Sequence, residues 1–317
     1  MANPLKSDPT RTTTLRRRFL GGMRKRFRAL KGAINKLIVK DDVFGLDAKG
    51  PLTFNVEPKA WAFATDEQKV KNFDNWLQQE IDSGILETDA NDDPWTAKYI
   101  QQAYDKGAKR AVTDTNKVKP ILSGLQNELP VLDGVVTTFL KAPEQISKVK
   151  LLSTRAFGEL RGIGAATAQK LNRILSNGII AGLGPRELAS QINSEIDSIT
   201  KKRALVMART EIIHAHAEGQ LDSFEDLGID ELGVMAEWAT ADDAHVCELC
   251  RPLDGVVMTV KQARGMIPRH PNCRCAFIPA IGVEDNKTTR KNLRKAIKKS
   301  VKAGGDSDRW VGKGKAI

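Results

Sequence analysis

Cys247-Glu248-Leu249-Cys250, followed after a spacer by His270-Pro271-Asn272-Cys273-Arg274-Cys275, is the stretch on which the reading of this chain turns. All four cysteines of the 317-residue sequence lie in it. A C-x-x-C turn brings two thiolates to one tetrahedral ion, and His270, three residues before Cys273, lets a second tight turn supply the remaining donors. One zinc takes four of the five groups Cys247, Cys250, His270, Cys273 and Cys275; the His-x-x-Cys spacing favours Cys273 over Cys275, and His245 is a spare. Four protein ligands close such a site, so the expected role is a structural staple with no open catalytic position. Disulfides and reduced buried thiols are the alternatives. Redox use of the C-x-x-C is disfavoured because no βαβ pattern surrounds it.

The residues around the cluster read as short strands separated by turns: Gly233–Trp238 alternates, Val256–Val260 is a second candidate, and Ala276-Phe277-Ile278 a third. Before Gly228 the chain reads mostly as helices joined by short connections, with an extended connector over 41–60. The expected fold is therefore a mainly α-helical body followed by a small α+β, turn-rich module stapled by zinc. Five segments follow from the composition: a basic amphipathic N-terminal arm and connector (1–50), a helical domain (51–145), a helical segment (146–227), the Cys/His module (228–282) and a basic C-terminal tail (283–317).

Charge is concentrated at the two ends. The net charge is +11, and residues 1–40 carry twelve Lys/Arg against the single acid Asp8. Residues 283–317 carry eleven Lys/Arg against four acids, so the middle is mildly acidic. Leu15, Phe19, Met23, Phe27, Leu30, Ile34, Leu37 and Ile38 recur at steps of three and four and form one stripe of an amphipathic helix, with Gly21-Gly22 as a weak point or hinge. Its basic face, Arg16, Arg17, Arg18, Arg24, Lys25, Arg26, Arg28 and Lys31, is a candidate surface for an acidic protein partner or nucleic acid, with a membrane surface a weaker reading. No apolar run approaches the roughly 20 residues that span a bilayer, and no secretory signal opens the sequence, which points to use in a cytoplasm.

Two further features carry chemistry of their own. Ala208-Arg209-Thr210-Glu211-Ile212-Ile213-His214 lies on a helix that places Glu211, His214 and Glu218 on one face. It reads as a polar network in which Arg209, Glu211 and His214 tie the helix to the following module, because neither a second Glu-x-x-His nor the H-E-x-x-H order is present. Leu160 to Leu171, with Gly162-Ile163-Gly164 at its centre, resembles a helix-hairpin-helix turn that offers backbone N–H groups to a phosphate; an ordinary tight connection between helices has the same chemistry. Pro185-Arg186-Glu187-Leu188 is a helix start.

Read together, Leu175-Ser176-Asn177-Gly178, Ala208-Arg209-Thr210-Glu211, Trp238-Ala239-Thr240, Cys247-x-x-Cys250, Leu253-Asp254-Gly255 and His270–Cys275 form an ordered string that resembles the phage Mu F-like head-morphogenesis family of minor capsid proteins. The resemblance makes 146–227 the helical segment of a head-morphogenesis domain. It implies a low-copy structural protein of the phage head, close to the portal vertex in the capsid interior, present in the host cytoplasm during assembly and without enzymatic activity. The implied partners are the portal protein, capsid or scaffold proteins, and packaged DNA in packaging or delivery. An HNH-like metal-dependent nuclease and a plain DNA-binding module are the alternatives.

Overall fold

A computed structural model describes residues 8–46, 61, 64–122, 137–227, 234–280 and 283–303. Its elements are α1 (Thr13–Asn35, prolonged by a π-type turn at Lys36–Lys40), α2 (Asp66–Glu80), α3 (Ala97–Leu122), α4 (Pro143–Ile180), α5 (Pro185–Ile199) and α6 (Leu205–Asp226). There follow β1 (Met235–Ala239), β2 (Val257–Met258), the single turn α7 (Val260–Ala263), β3 (Ala276–Ala280) and α8 (Lys287–Ala303). A mainly helical body followed by a small α+β module is thus what the chain forms. The chain divides into two compact units, one drawn from Met1–Arg17, Thr96–Thr154 and Val206–Ile317, the other from Arg18–Trp95 and Arg155–Leu205.

The second unit forms around the α1 stripe. Phe19, Met23, Phe27, Leu30, Ile34 and Ile38 are all buried, as are Phe73 and Leu77 of α2, Leu171 and Leu175 of α4, and Leu188, Ile192 and Ile196 of α5. Phe19 meets Trp95 edge-on with ring centroids 5.6 Å apart. The Trp95 Nε1–H donates to the Ile85 carbonyl at 3.0 Å, and the Arg26 guanidinium lies 4.0 Å above the same indole. The apolar face of α1 is therefore spent on the chain's own core and is not offered to a membrane or a partner.

Three local expectations are corrected here. Gly21-Gly22 makes no hinge, because α1 runs through it. Gly162-Ile163-Gly164 makes no hairpin turn: α4 is continuous from Pro143 to Ile180, so no helix N-terminus faces a phosphate there. The reason is packing, since Leu160, Ile163, Ala168 and Leu171 are buried along one face, and burial outweighs the weak helix propensity of glycine. Gly164 is where Ile81 approaches; a Cβ at that position would stand 3.0 Å from its Cγ2. The third correction is Asn177-Gly178, whose pairing with Gly182-Leu183-Gly184-Pro185 reads as two short glycine turns: Asn177-Gly178 is helical, and the turn comes at Gly182. There φ is +65°, and the Leu183 N–H returns to the Gly178 carbonyl at 2.9 Å. Pro185 opens α5 in its first turn, as its fixed φ favours.

In the first unit α3 and α6 meet backbone to backbone, with Gly107 against the His216 carbonyl and Gly219 against the Tyr104 carbonyl. The sheet has the order β2-β1-β3, antiparallel throughout, with Trp238 opposite Phe277. Those two rings pack edge to face at 5.8 Å in a core with Phe224, Leu253, Met258 and, from α8, Leu293 and Ala296. Gln220 of α6 completes the join as a short strand would: its Nε2–H donates to the Phe277 carbonyl at 2.8 Å, and its Oε1 accepts from the Phe277 N–H at 3.3 Å.

Candidate metal centre

Two tight turns, one between β1 and β2 and one just before β3, carry the cluster. After β1 the chain is steered by Thr240, whose N–H bonds Asp254 at 2.8 Å, and by Asp242 in the left-handed region at φ +47°. It then reaches a knuckle in which the Cys247 carbonyl accepts from the N–H groups of Cys250 and Arg251 at 3.1 and 3.0 Å. The second turn repeats the device: the Cys273 N–H donates to the His270 carbonyl at 3.1 Å, with Asn272 at φ +66°. Cys275 leads directly into β3. Arg274 buckles the two turns together through a two-pronged ion pair with Asp243, at 2.7 and 2.6 Å.

The donors converge. His270 Nε2 lies 3.1 Å from Cys247 Sγ, and Cys250 Sγ lies 4.0 Å from Cys273 Sγ. A tetrahedral zinc with Zn–S of about 2.3 Å and Zn–N of about 2.0 Å needs donor–donor edges of about 3.5–3.8 Å. The observed edges bracket that range. All four cysteines are free thiols. Two triads, Cys247–Cys250–His270 and Cys250–Cys273–Cys275, each close within 4.8 Å and share Cys250. Cys250 is common to both triads; Cys247 and His270 complete the first, and Cys273 and Cys275 the second. Cys275 also meets the Trp238 indole. The five residues read from the sequence are thus brought together, and the cluster could hold a metal ion.

The electrostatics prepare anionic sulfur. Hydrogen bonding from Cys250, with His270 adding to it, lowers the Cys247 thiol to about 4. Cys273 is held well below its ordinary value by Cys250, Cys275 and His270, whereas Cys250 and Cys275, as the donors to neighbouring sulfurs, are pushed up. Burial disfavours the His270 imidazolium, but the sulfurs of Cys247 and Cys273 outweigh it and raise the ring to about 10. The other ring nitrogen, Nδ1, faces the Pro271 carbonyl at 2.7 Å, the outer hydrogen bond that aims a metal-ligating imidazole. Arg269, 4% exposed, faces the Cys250 and Cys273 charges and donates through Nε to Ser300 Oγ at 3.1 Å. The cavity at the cluster is small, about 30 Å³, room for one ion or water.

α6 also carries the polar residues read from the sequence. His214 Nε2 stands 3.9 Å from Glu218, and Glu211 is buried on the same helix. Arg209 is lowered by burial and by its like-charged neighbour Arg274, with Asp8 opposing. α6 is also tied to the module through Glu218, Asp222 and Glu225, all paired with Arg264, together with Gln220 and Thr210. Asp222 also receives Tyr104 at 2.5 Å and Lys148. The four-and-three spacing of Glu218, Asp222 and Glu225 is legible in the sequence, but their partner Arg264 lies in a loop that has no periodicity to mark it.

Of the eight basic residues on α1, three are engaged internally: Arg16 with Asp8 at 2.8 Å, Arg26 with Glu87, and Lys31 with Asp197 at 2.8 Å. Arg17, Arg18, Arg24, Lys25 and Arg28 are exposed.

Residues 169–278 match the family model described as Phage Mu protein F like protein, so the resemblance drawn from the sequence holds over the segment that contains the entire Cys/His cluster. No curated protein and no solved structure matches the chain.

Proposed function

We propose that the protein is a minor capsid protein of a tailed bacteriophage, a structural component that acts in head morphogenesis near the portal and catalyses no reaction. The observation that carries this reading is the Phage Mu protein F like match across 169–278. Two properties of the cluster agree with it. Its donors are numerous enough to fill all four positions of a zinc ion, and its cavity is the size of one ion. Zinc held by Cys247, Cys250, His270 and Cys273 supplies folding free energy to the module, because the donors come from turns that the unfolded chain does not hold together. The exposed cations of α1 are the surface offered to portal, capsid or scaffold proteins. Among the described residues no helix is long and apolar enough to cross a membrane.

The nuclease alternative makes a different demand on the site. It requires an unengaged histidine as general base and an ion with an open position. His270 is directed at Cys247, and His245 lies exposed at the rim. Quantitative mass spectrometry of purified phage particles and procapsids tests the proposal. Low-copy presence in both is expected, and absence from both overturns it. Metal-dependent nicking of a supercoiled plasmid, lost in His245→Ala, would replace it with the nuclease.

A further inference from the structure

We propose that α8 is a DNA-binding surface that grips the phosphate backbone of duplex DNA without reading its sequence. The helix Lys287–Ala303 contains no acidic residue. Lys287, Lys291, Lys295, Lys298, Lys299 and Lys302 line a shallow open groove along it, together with Arg290 and Arg294. At 100° per residue these eight cations occupy one half of the helix, and Leu293, Ala296 and Ser300 occupy the buried opposite side. Arg290 is taken by Asp285 at 2.7 Å, and among the described residues the other seven have no ion-pair partner. From Lys287 to Lys302 the row is about 22 Å long at 1.5 Å per residue, a length over which a duplex presents about 13 phosphate charges.

The cations are held in place. Ser300, fully buried, donates to the Leu249 carbonyl at 2.7 Å and accepts from Arg269, so the helix is pinned to the loop that carries the Cys247–Cys250 knuckle. A fixed array of this kind suits a repeating polyanion. A protein interface is depleted of lysine and enriched in aromatic residues, whereas this face is dominated by lysine and has Val301 as its one exposed large apolar side chain. Insertion into a lipid surface needs a free apolar face; here that face is packed against the core through Leu293 and Ala296. Double-stranded DNA, as against another polyanion, rests on the phage-head reading; the charge argument does not.

The test is binding of the full chain to a short labelled DNA duplex by fluorescence anisotropy between about 50 and 200 mM salt. The quadruple variant Lys291→Ala, Arg294→Ala, Lys295→Ala, Lys298→Ala is expected to bind about tenfold or more weakly at low salt. Its log–log salt slope should flatten by about 0.9 for each phosphate that the variant no longer neutralises. Lysine or arginine at all four positions should bind alike, and an unchanged thermal melt shows the fold intact. The proposal is overturned if the variant binds as the wild type does, or if the loss appears instead in Arg17→Ala, Arg18→Ala, Arg24→Ala, Lys25→Ala, Arg28→Ala. It is equally overturned if the wild type binds no duplex, or binds poly-glutamate or duplex RNA more tightly than DNA. Absence from phage particles with DNA binding retained through α8 removes the head assignment and leaves this surface; presence in particles without binding does the reverse.

Discussion

Gly219 lies so close to the Tyr104 carbonyl that a Cβ at this position would stand 2.2 Å from the oxygen, and Gly107 stands in the same relation to the His216 carbonyl, at 2.0 Å. Neither neighbour is a side chain that can swing aside; both are helix backbone. Gly219→Ala or Gly107→Ala is therefore expected to force α3 and α6 apart, at a cost of about 1–3 kcal/mol or more. Urea denaturation reads this directly as a lower midpoint. An unchanged midpoint would mean that the two helix backbones do not touch.

The metal site makes a prediction that separates its two candidate fourth ligands. Elemental analysis of the purified chain is expected to give one zinc per molecule, and a strong chelator to lower the melting temperature. Cys273→Ser should lose the ion, because Cys273 neighbours both His270 and Cys250. Cys275→Ser should keep it. The reverse pair of results would place Cys275 in the coordination sphere and Cys273 outside.

Arg264 satisfies Asp222, a carboxylate whose side chain is 1% exposed. Removing the guanidinium leaves Tyr104 and Lys148 to hold that charge, so Arg264→Ala should cost about 1.5–3 kcal/mol, the usual worth of a hydrogen bond to a charged group. Arg264→Lys should recover part of the loss. The denaturant midpoint of the pair decides it.

His216 sits fully buried with neither ring nitrogen bonded among the described residues, and burial lowers it to about 3 from an ordinary 6.5. The folded state therefore keeps the ring neutral while the unfolded chain takes up a proton below pH 6.5. Stability from this group is intact above that pH and declines as the pH falls toward 3, by about 1.4 kcal/mol per unit. His216→Met should flatten the stability-against-pH curve over that window. A slope identical to that of the wild type would show that another group titrates there.

The cysteine and histidine spacing made the site readable because each half is a local turn, complete within six residues. The strands and the α1 stripe were readable for the same reason, since alternation and three-four periodicity are properties of neighbours along the chain. What the sequence hid is long-range. Nothing in Arg264 announces Asp222, nothing in Ser300 announces Leu249 and Arg269, and Gln220 gives no sign that its amide will bond Phe277. Gly162-Ile163-Gly164 misled in the opposite direction: a local turn signal was overridden by burial along the whole length of α4. The basic face of α8 was legible as charge but not as an anchored helix, because its anchor is one serine hydroxyl fifty-one residues from its acceptor.

The interleaved composition of the two units has a consequence for synthesis. By the time Leu205 leaves the ribosome, every residue of the unit drawn from Arg18–Trp95 and Arg155–Leu205 has been made. The other unit still waits for Val206 onward, which supplies α6, the sheet and both metal-ligating turns. Translation thus imposes an order: α3 emerges early with its glycine-lined flank bare, and must stay unaggregated until the last third of the polypeptide arrives to cover it. A ribosome stalled between Leu205 and Cys275 would hold a nascent chain that is half finished in the mechanical sense, with one unit able to close and the other lacking its keystone.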